Sequence, residues 1–95
     1  MVIGKIIGSL VATQKDPSLI GKKLLIVKAV DLEGNMKDSF LIAVDIVGVG
    51  IGETVLVVNG SSARMSEETK DRSIDSVIIA KIDSIQTQDK EINLN

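Results

Sequence analysis

Five stretches of this chain are dense in branched aliphatic residues and are separated by turn-forming residues. They read VIGKIIGSLVAT, KKLLIVKAVDL, SFLIAVDIV, TVLVV and IDSVIIAKIDSIQ, at residues 2–13, 22–32, 39–47, 54–58 and 74–86. Val, Ile and Leu supply 33 of the 95 residues, against a single aromatic residue, Phe40. Such side chains pack well on the pleated surface of a sheet. The sequence therefore predicts an all-β fold.

The segments between these stretches favour a small five-stranded, OB-like β-barrel. Gly34 and Asn35 tolerate positive φ and predict an antiparallel hairpin between the second and third strands. Residues 63–70 contain good helix formers and predict one short helix. Ile92 and Leu94 lie two apart, which is the spacing of a strand. We expect residues 1–88 to form the barrel domain and residues 89–95 a C-terminal tail strand that packs on a neighbouring subunit.

The composition excludes several kinds of chemistry. The chain has no cysteine and no histidine, which removes disulfides, thiol nucleophiles, imidazole bases and the usual zinc ligands. Its net charge of −2 gives no basic footprint for nucleic acid. No apolar run reaches the roughly 18 residues of a membrane span, and Gly and Lys interrupt the N-terminal segment too often for a secretory signal. We expect a cytoplasmic protein without cofactor or metal, whose partners include neither nucleic acid nor membrane.

The segment GVGIGE, residues 48–53, resembles a phosphate-binding loop at first sight. Its spacing, however, is G-x-G-x-G, whereas a dinucleotide fingerprint requires G-x-G-x-x-G. The residues that follow it predict a strand, and a dinucleotide site needs the N-terminus of a helix behind the phosphates. A nucleotide site is therefore disfavoured, and the three glycines need another explanation.

Other candidate groups for chemistry have simpler interpretations. Asp45 and Glu53 flank the glycines, but a hydrolase pair must be held about 5 to 9.5 Å apart, and nothing in the sequence fixes that distance. Hydrogen bonds from these carboxylates to loop backbone or to a neighbouring subunit are favoured. Ser61 and Ser62 lack a histidine base and are better explained as helix caps.

A nucleic-acid interface has to be weighed because small barrels often bind single strands. Lys15, Lys22 and Lys23 could contact phosphates, but such binding also uses aromatic platforms, which Phe40 alone cannot form. A solvated lysine edge is favoured. The alternatives that stay open are a small-barrel module that binds an oligonucleotide or a peptide, and an enzyme with a site shared between subunits.

Several motifs resemble the EutN/CcmL family of bacterial microcompartment vertex proteins. The most specific are the G-x-G-x-G-E loop followed directly by TVLVV and then by GSSAR, supported by the T-x-K…L-x-G-x-K-L pattern from Thr13 to Leu24. Lys81 stands where the family usually has an apolar residue. The resemblance spans nearly the whole chain. It implies a structural protein rather than an enzyme: a barrel that forms a homopentamer and plugs the five-fold vertices of a shell built mostly from hexameric shell proteins.

The resemblance also suggests why the glycines are present. A ring closed by rotation joins two different patches of each subunit, and glycine lets backbones approach closely. We expect Gly48, Gly50 and Gly52 to lie at this subunit interface, with Asp45 and Glu53 accepting hydrogen bonds from exposed amides there. The expected interface also includes Ile92 and Leu94. The segment GSSAR, expected at the ring axis, comprises Gly60, Ser61, Ser62, Ala63 and Arg64.

Overall fold

The aliphatic stretches form the strands of the protein in the computed structural model, which describes residues 1–13, 17–60 and 76–94. A short 3-10 helix, Pro17–Leu19, precedes the second strand. The strands are β1 (Val2–Leu10), β2 (Lys23–Val30), β3 (Met36–Asp45), β4 (Thr54–Asn59), β5 (Ser76–Lys81), β6 (Ser84–Gln86) and β7 (Glu91–Asn93).

Five of these strands close into a barrel in the order β1-β2-β3-β5-β4, which confirms the predicted all-β barrel. The pairings are antiparallel except for β3 with β5, which are parallel and pair at Val44↔Val77 and Asp45↔Ile78 within the described residues. Strand β1 pairs with β2 from Gly4 to Leu10 and with β4 from Val2 to Lys5. A register shift in β1 between Ile6 and Gly8 leaves Ile7 out of the ladder.

The barrel interior is filled mainly by side chains at alternate strand positions, as the period of two requires, together with Val49 from the segment between β3 and β4. The central cluster is fully or almost fully buried. It contains Ile6, Leu25, Val27, Ala43, Val49, Val55, Val57 and Ile78. A smaller cluster of Val44, Val58 and Val77 packs with Leu19, Leu24 and Ile46.

Gly4 lies where β1 comes closest to β2. A Cβ atom there would be 2.3 Å from Val27 Cγ1 and 3.0 Å from the carbonyl oxygen of Lys28. Val27 is completely buried, so it has no free space into which to move. The absence of a side chain at Gly4 therefore lets β1 lie close to β2 at this point.

The fifth aliphatic stretch differs from its prediction. It was expected to form one strand over residues 74–86, but the described part divides into β5 and β6, with Ile82 and Asp83 between them. The amide of Ile82 still donates to the carbonyl oxygen of Thr54, one residue past the last barrel pair Val55↔Lys81, and β6 then pairs with β7 instead of β4. The helix predicted at residues 63–70 lies outside the described residues. Across the described ranges, no helix is long and apolar enough to cross a membrane.

The C-terminal hairpin, β6 and β7, is formed within a single chain, with Ile85 paired to Ile92. Its end contacts the turn between β2 and β3: Leu94 Cδ2 lies 2.9 Å from the position that a Cβ of Gly34 would take, and Lys90 forms an ion pair with Glu33. The strand spacing of Ile92 and Leu94 is thus present, and the strand partner of the tail is β6 of the same chain.

Candidate functional site

The glycine loop, residues 46–53, joins β3 to β4 and is held from its first end by Asp45. One carboxylate oxygen, Oδ1, accepts hydrogen bonds from the amides of Val47 and Gly48, both at 2.9 Å. The other, Oδ2, accepts from the amide of Val49, also at 2.9 Å. Three consecutive amides that would otherwise need water are therefore paired to one side chain. The carboxylate fixes its own loop, and these contacts lie within the chain.

Glu53 holds the loop from its second end. Its Oε1 accepts from the amide of Gly50 at 2.6 Å, and its Oε2 forms an ion pair with Lys81 Nζ at 2.8 Å. The hydrogen bond from Lys81, followed by that from the Gly50 amide, lowers the pKa of the Glu53 carboxyl. The same contact raises the pKa of Lys81. Lys81, which departs from the usual apolar residue of the family, is thus exposed and paired, and it fastens the loop to β5.

Backbone hydrogen bonds attach the loop to the barrel wall as well. The amide of Gly52 donates to the carbonyl oxygen of Ile6 at 2.8 Å, and the amide of Ile6 donates to the carbonyl oxygen of Glu53 at 2.9 Å. Lys23 Nζ donates to the carbonyl oxygen of Val49 at 3.3 Å. The loop is therefore connected to β1, β2 and β5, and it presents a fixed shape to whatever lies outside it.

The three glycines of the loop differ in backbone conformation. Gly48 and Gly52 adopt φ of 95° and 93°, which side chains rarely adopt, and the space where their Cβ atoms would stand contains no atom within 4 Å. Gly50 has no positive φ, and a Cβ there would lie 3.6 Å from Glu53 Oε1. Backbone conformation thus accounts for Gly48 and Gly52 within the chain, and the outer side of both is open.

The sequence did not indicate which aliphatic side chains of the glycine loop are exposed. Val49 is buried in the core, whereas Ile51 is 70% exposed and Val47 is 46% exposed. Strand-like alternation would place residues 47, 49 and 51 on one face, so the sequence pattern carries no signal for their different exposures. The positive φ of Gly48 shows that the loop departs from a strand at this point. Two aliphatic side chains therefore project from a loop that is otherwise tightly fastened.

A second apolar surface lies near the start of β1 and the hairpin of β2 and β3. Its most exposed members are Met1, Leu32, Met36 and Phe40. A groove of about 520 Å³ runs beside them. A smaller cavity of about 110 Å³ adjoins this groove and is lined by Val2, Ala29, Ser39, Phe40 and Leu41.

The remaining predicted site residues are placed as follows. Gly60 follows β4 with φ of 65°, and residues 61–64, which complete the expected axial segment, lie outside the described residues. Ile92 and Leu94 are half-buried in the C-terminal hairpin. Lys15 also lies outside the described residues. Within the ranges described, no group of His, Cys, Asp and Glu is arranged to hold a metal ion.

Comparisons with known proteins agree with this architecture. The sequence profile described as ethanolamine utilisation protein EutN/carboxysome matches residues 1–83. The chain is 44% identical over 93 residues to the carboxysome shell vertex protein CcmL of Nostoc sp., covering 97% of this chain and 92% of that protein. It is 42% identical to the bacterial microcompartment shell vertex protein PduN of Salmonella typhimurium, covering 90% and 98%.

Two solved structures extend these similarities to three dimensions. The structure of Nostoc sp. CcmL superposes with a TM-score of 0.94 at 43% identity and covers all of both chains. The pentameric microcompartment shell protein GrpN of Rhodospirillum rubrum superposes with a TM-score of 0.84 at 40% identity, covering 92% of this chain and 99% of that one.

Proposed function

This chain belongs to the EutN/CcmL family, and from that premise we propose that it is a structural shell protein whose pentameric ring caps the vertices of a bacterial microcompartment. The observation that carries the proposal is the full-length superposition on Nostoc sp. CcmL, at a TM-score of 0.94 and 43% identity. The relative GrpN is described as pentameric. The place of the ring is the shell of a compartment in the cytoplasm.

The surface of the barrel supports assembly on physical grounds. Met1 and Val11 are 82% and 89% exposed, and further aliphatic side chains are exposed on the glycine loop and on the β2–β3 hairpin. Contiguous exposed apolar patches are a typical mark of protein interfaces. A ring of five identical subunits buries two different patches on every subunit, because its contacts are head-to-tail.

The glycine loop is proposed as one of these two patches. Gly48, Gly50 and Gly52 present backbone without side chains, and the space beside Gly48 and Gly52 is open. Asp45 and Glu53 support this role indirectly: they hold the loop in one shape, so little ordering is needed when a neighbour binds.

The segment that follows β4 is proposed to lie near the ring axis. Small side chains in GSSAR would allow five copies to converge, and each Arg64 would turn towards a carboxylate or solvent, because five guanidinium groups repel one another. The C-terminal hairpin is proposed to cover part of the adjacent subunit with the outer side of residues 89–95.

The proposed ring acts as a building block and carries out no reaction of its own. Its other partners are the hexameric shell proteins of the same compartment, and nucleic acid is not among its ligands. The role of the protein is to supply the five-fold curvature that a flat layer of hexamers lacks.

Native mass spectrometry tests the proposal directly. Five copies of the 10.1 kDa chain give a particle of about 50 kDa. Co-expression with hexameric shell proteins should yield closed polyhedral shells in electron micrographs, and omission of this chain should leave shells open at their vertices. A monomer or dimer at micromolar concentration, or shells that close equally well without the chain, would refute the proposal.

A further inference from the structure

The proposed ring needs a projecting patch on one subunit and a receiving patch on the next, and the structure offers one candidate for each. The projecting patch is the tip of the glycine loop. Ile51 is its most exposed side chain and stands between two glycines, so no neighbouring side chain of the loop shields it. Because the loop is fastened at Asp45, at Glu53 and at Ile6, Ile51 is held out as a rigid apolar knob.

The receiving patch is the cavity of about 110 Å³ lined by Val2, Ala29, Ser39, Phe40 and Leu41. Four of these five residues are apolar, and apolar cavities accept apolar groups in preference to water. A volume of this size corresponds to a few water molecules or to one branched aliphatic side chain. Phe40, the single aromatic residue of the chain, is 67% exposed at its rim.

The knob of a subunit cannot fill the cavity of the same subunit. The loop is bonded to β1 at Ile6, whereas the cavity includes Val2, four residues earlier on the same strand. Four residues of strand span about 13 Å. The two patches therefore lie at different places on the subunit, as the two patches of a head-to-tail contact do.

We propose that Ile51 of one subunit inserts into the cavity beside Phe40 and Ser39 of the next subunit around the ring. The occupant is a second copy of this chain. The inference rests on the proposed pentamer and adds to it the pair of surfaces that meet at each of its seams. It also gives Phe40 a role, as the rim that covers the inserted side chain.

Engineered cysteines test this contact cleanly because the natural chain contains none. Ile51→Cys and Ser39→Cys are combined in one chain, and the purified protein is treated with a mild oxidant or a short bis-maleimide reagent. The double variant should give a ladder of covalent species up to the pentamer on a denaturing gel. Each single variant should give none, because a head-to-tail contact does not bring identical positions together.

A second measurement applies if cross-linking geometry is unfavourable. Ile51→Ser should raise the dissociation concentration of the ring roughly tenfold or more, since each seam loses one buried aliphatic side chain. Ile79→Ser, at an exposed isoleucine of β5 outside both patches, is the matched control.

The outcomes separate this inference from the proposed function. A native pentamer in which Ile51→Ser behaves like Ile79→Ser, or in which either single cysteine variant cross-links to itself, overturns the knob-and-cavity contact and leaves the ring intact. A wild-type chain that does not form a pentamer refutes the proposed function itself.

Discussion

Gly4→Ala should destabilise the barrel strongly, whereas Gly8→Ala in the same strand should be tolerated. The added methyl group at Gly4 would stand 2.3 Å from Val27 Cγ1 and 3.0 Å from the Lys28 carbonyl oxygen. At Gly8 the nearest atom, Ile26 Cδ1, is 3.5 Å away, which is an ordinary contact. Neither glycine has a positive φ, so the comparison isolates the steric effect.

The size of the effect follows from the packing. Overpacking a filled core costs about 1 to 3 kcal/mol, and the upper end applies here because Val27 is fully buried and the second clash is with backbone. Replacing glycine by alanine also lowers the conformational entropy of the unfolded chain, which stabilises the folded state by roughly 0.4 to 1 kcal/mol. A net loss of about 2 kcal/mol remains. For a domain of this size that corresponds to a fall in Tm of roughly 8 to 16 °C.

Thermal unfolding followed by circular dichroism measures this difference, with all variants at the same protein concentration because the stability of an oligomer depends on it. Gly8→Ala should stay within about 0.5 kcal/mol of the wild type. Val27→Ala removes the Cγ1 atom, so in its background Gly4→Ala should cost much less. Equal effects of Gly4→Ala and Gly8→Ala, or a Gly4 penalty unchanged by Val27→Ala, would show that the reasoning is wrong.

Three further predictions concern the ring and one concerns its ligands. Because the pKa of Glu53 is lowered in the fold, its contribution is present above the ordinary carboxyl value of 4.5 and is lost as the pH falls through the lowered pKa. Mass photometry on dilution should therefore show that the dissociation concentration of the ring rises on acidification. In the Glu53→Gln variant this concentration should depend less on pH. Gly50→Asp should prevent ring formation in gel filtration, because it adds a carboxylate beside Glu53. The control variant Gly50→Ala should still assemble. A ring that stays intact in Gly50→Asp would argue against the glycine loop as the subunit interface. Deletion of residues 89–95 should leave the barrel folded by circular dichroism and raise the dissociation concentration of the ring, and unchanged dissociation would contradict packing of the tail on a neighbour. Fluorescence anisotropy should detect no binding of single-stranded DNA at physiological salt, and salt-sensitive binding tighter than roughly 10⁻⁴ M would restore the binding-module alternative.

The strands could be predicted because strand formation depends on local features of the sequence, namely the density of aliphatic residues and their alternation along the chain. The pairing of the strands could not. Nothing in the residues around Val44 or Val77 indicates that β3 and β5 run parallel, since that contact joins positions far apart in the chain. The break between β5 and β6 was not predicted for a similar reason: Ile82 continues the aliphatic pattern, and only the pairing of β6 with β7 shows that the barrel strand has ended.

The sequence singled out the glycine loop, but it indicated only part of the reason for the glycines. Its spacing argued against a nucleotide site, whereas the positive φ of Gly48 and Gly52 depends on a backbone path that spacing does not determine. The carboxylates were expected to bond either loop backbone or a neighbour, and Asp45 bonds three amides of its own loop. The exposure of Ile51 beside a buried Val49 could not be predicted, because it depends on the same backbone path.

The parallel contact between β3 and β5 has a consequence for how the barrel forms. In the described part of the chain it joins two residue pairs, whereas β2 and β3 are paired over most of their length. The hairpin of β2 and β3 closes a short segment and can form early, while the β3–β5 contact must wait for more than thirty intervening residues to be brought together. We therefore expect this contact to form after the β2–β3 hairpin and to open more readily than the hairpin in thermal fluctuations, which amide hydrogen exchange would show as weaker protection. Asp45 belongs to that line of contact and its side chain also holds the glycine loop, so the loop is anchored beside the shortest strand pairing in the described part of the barrel wall.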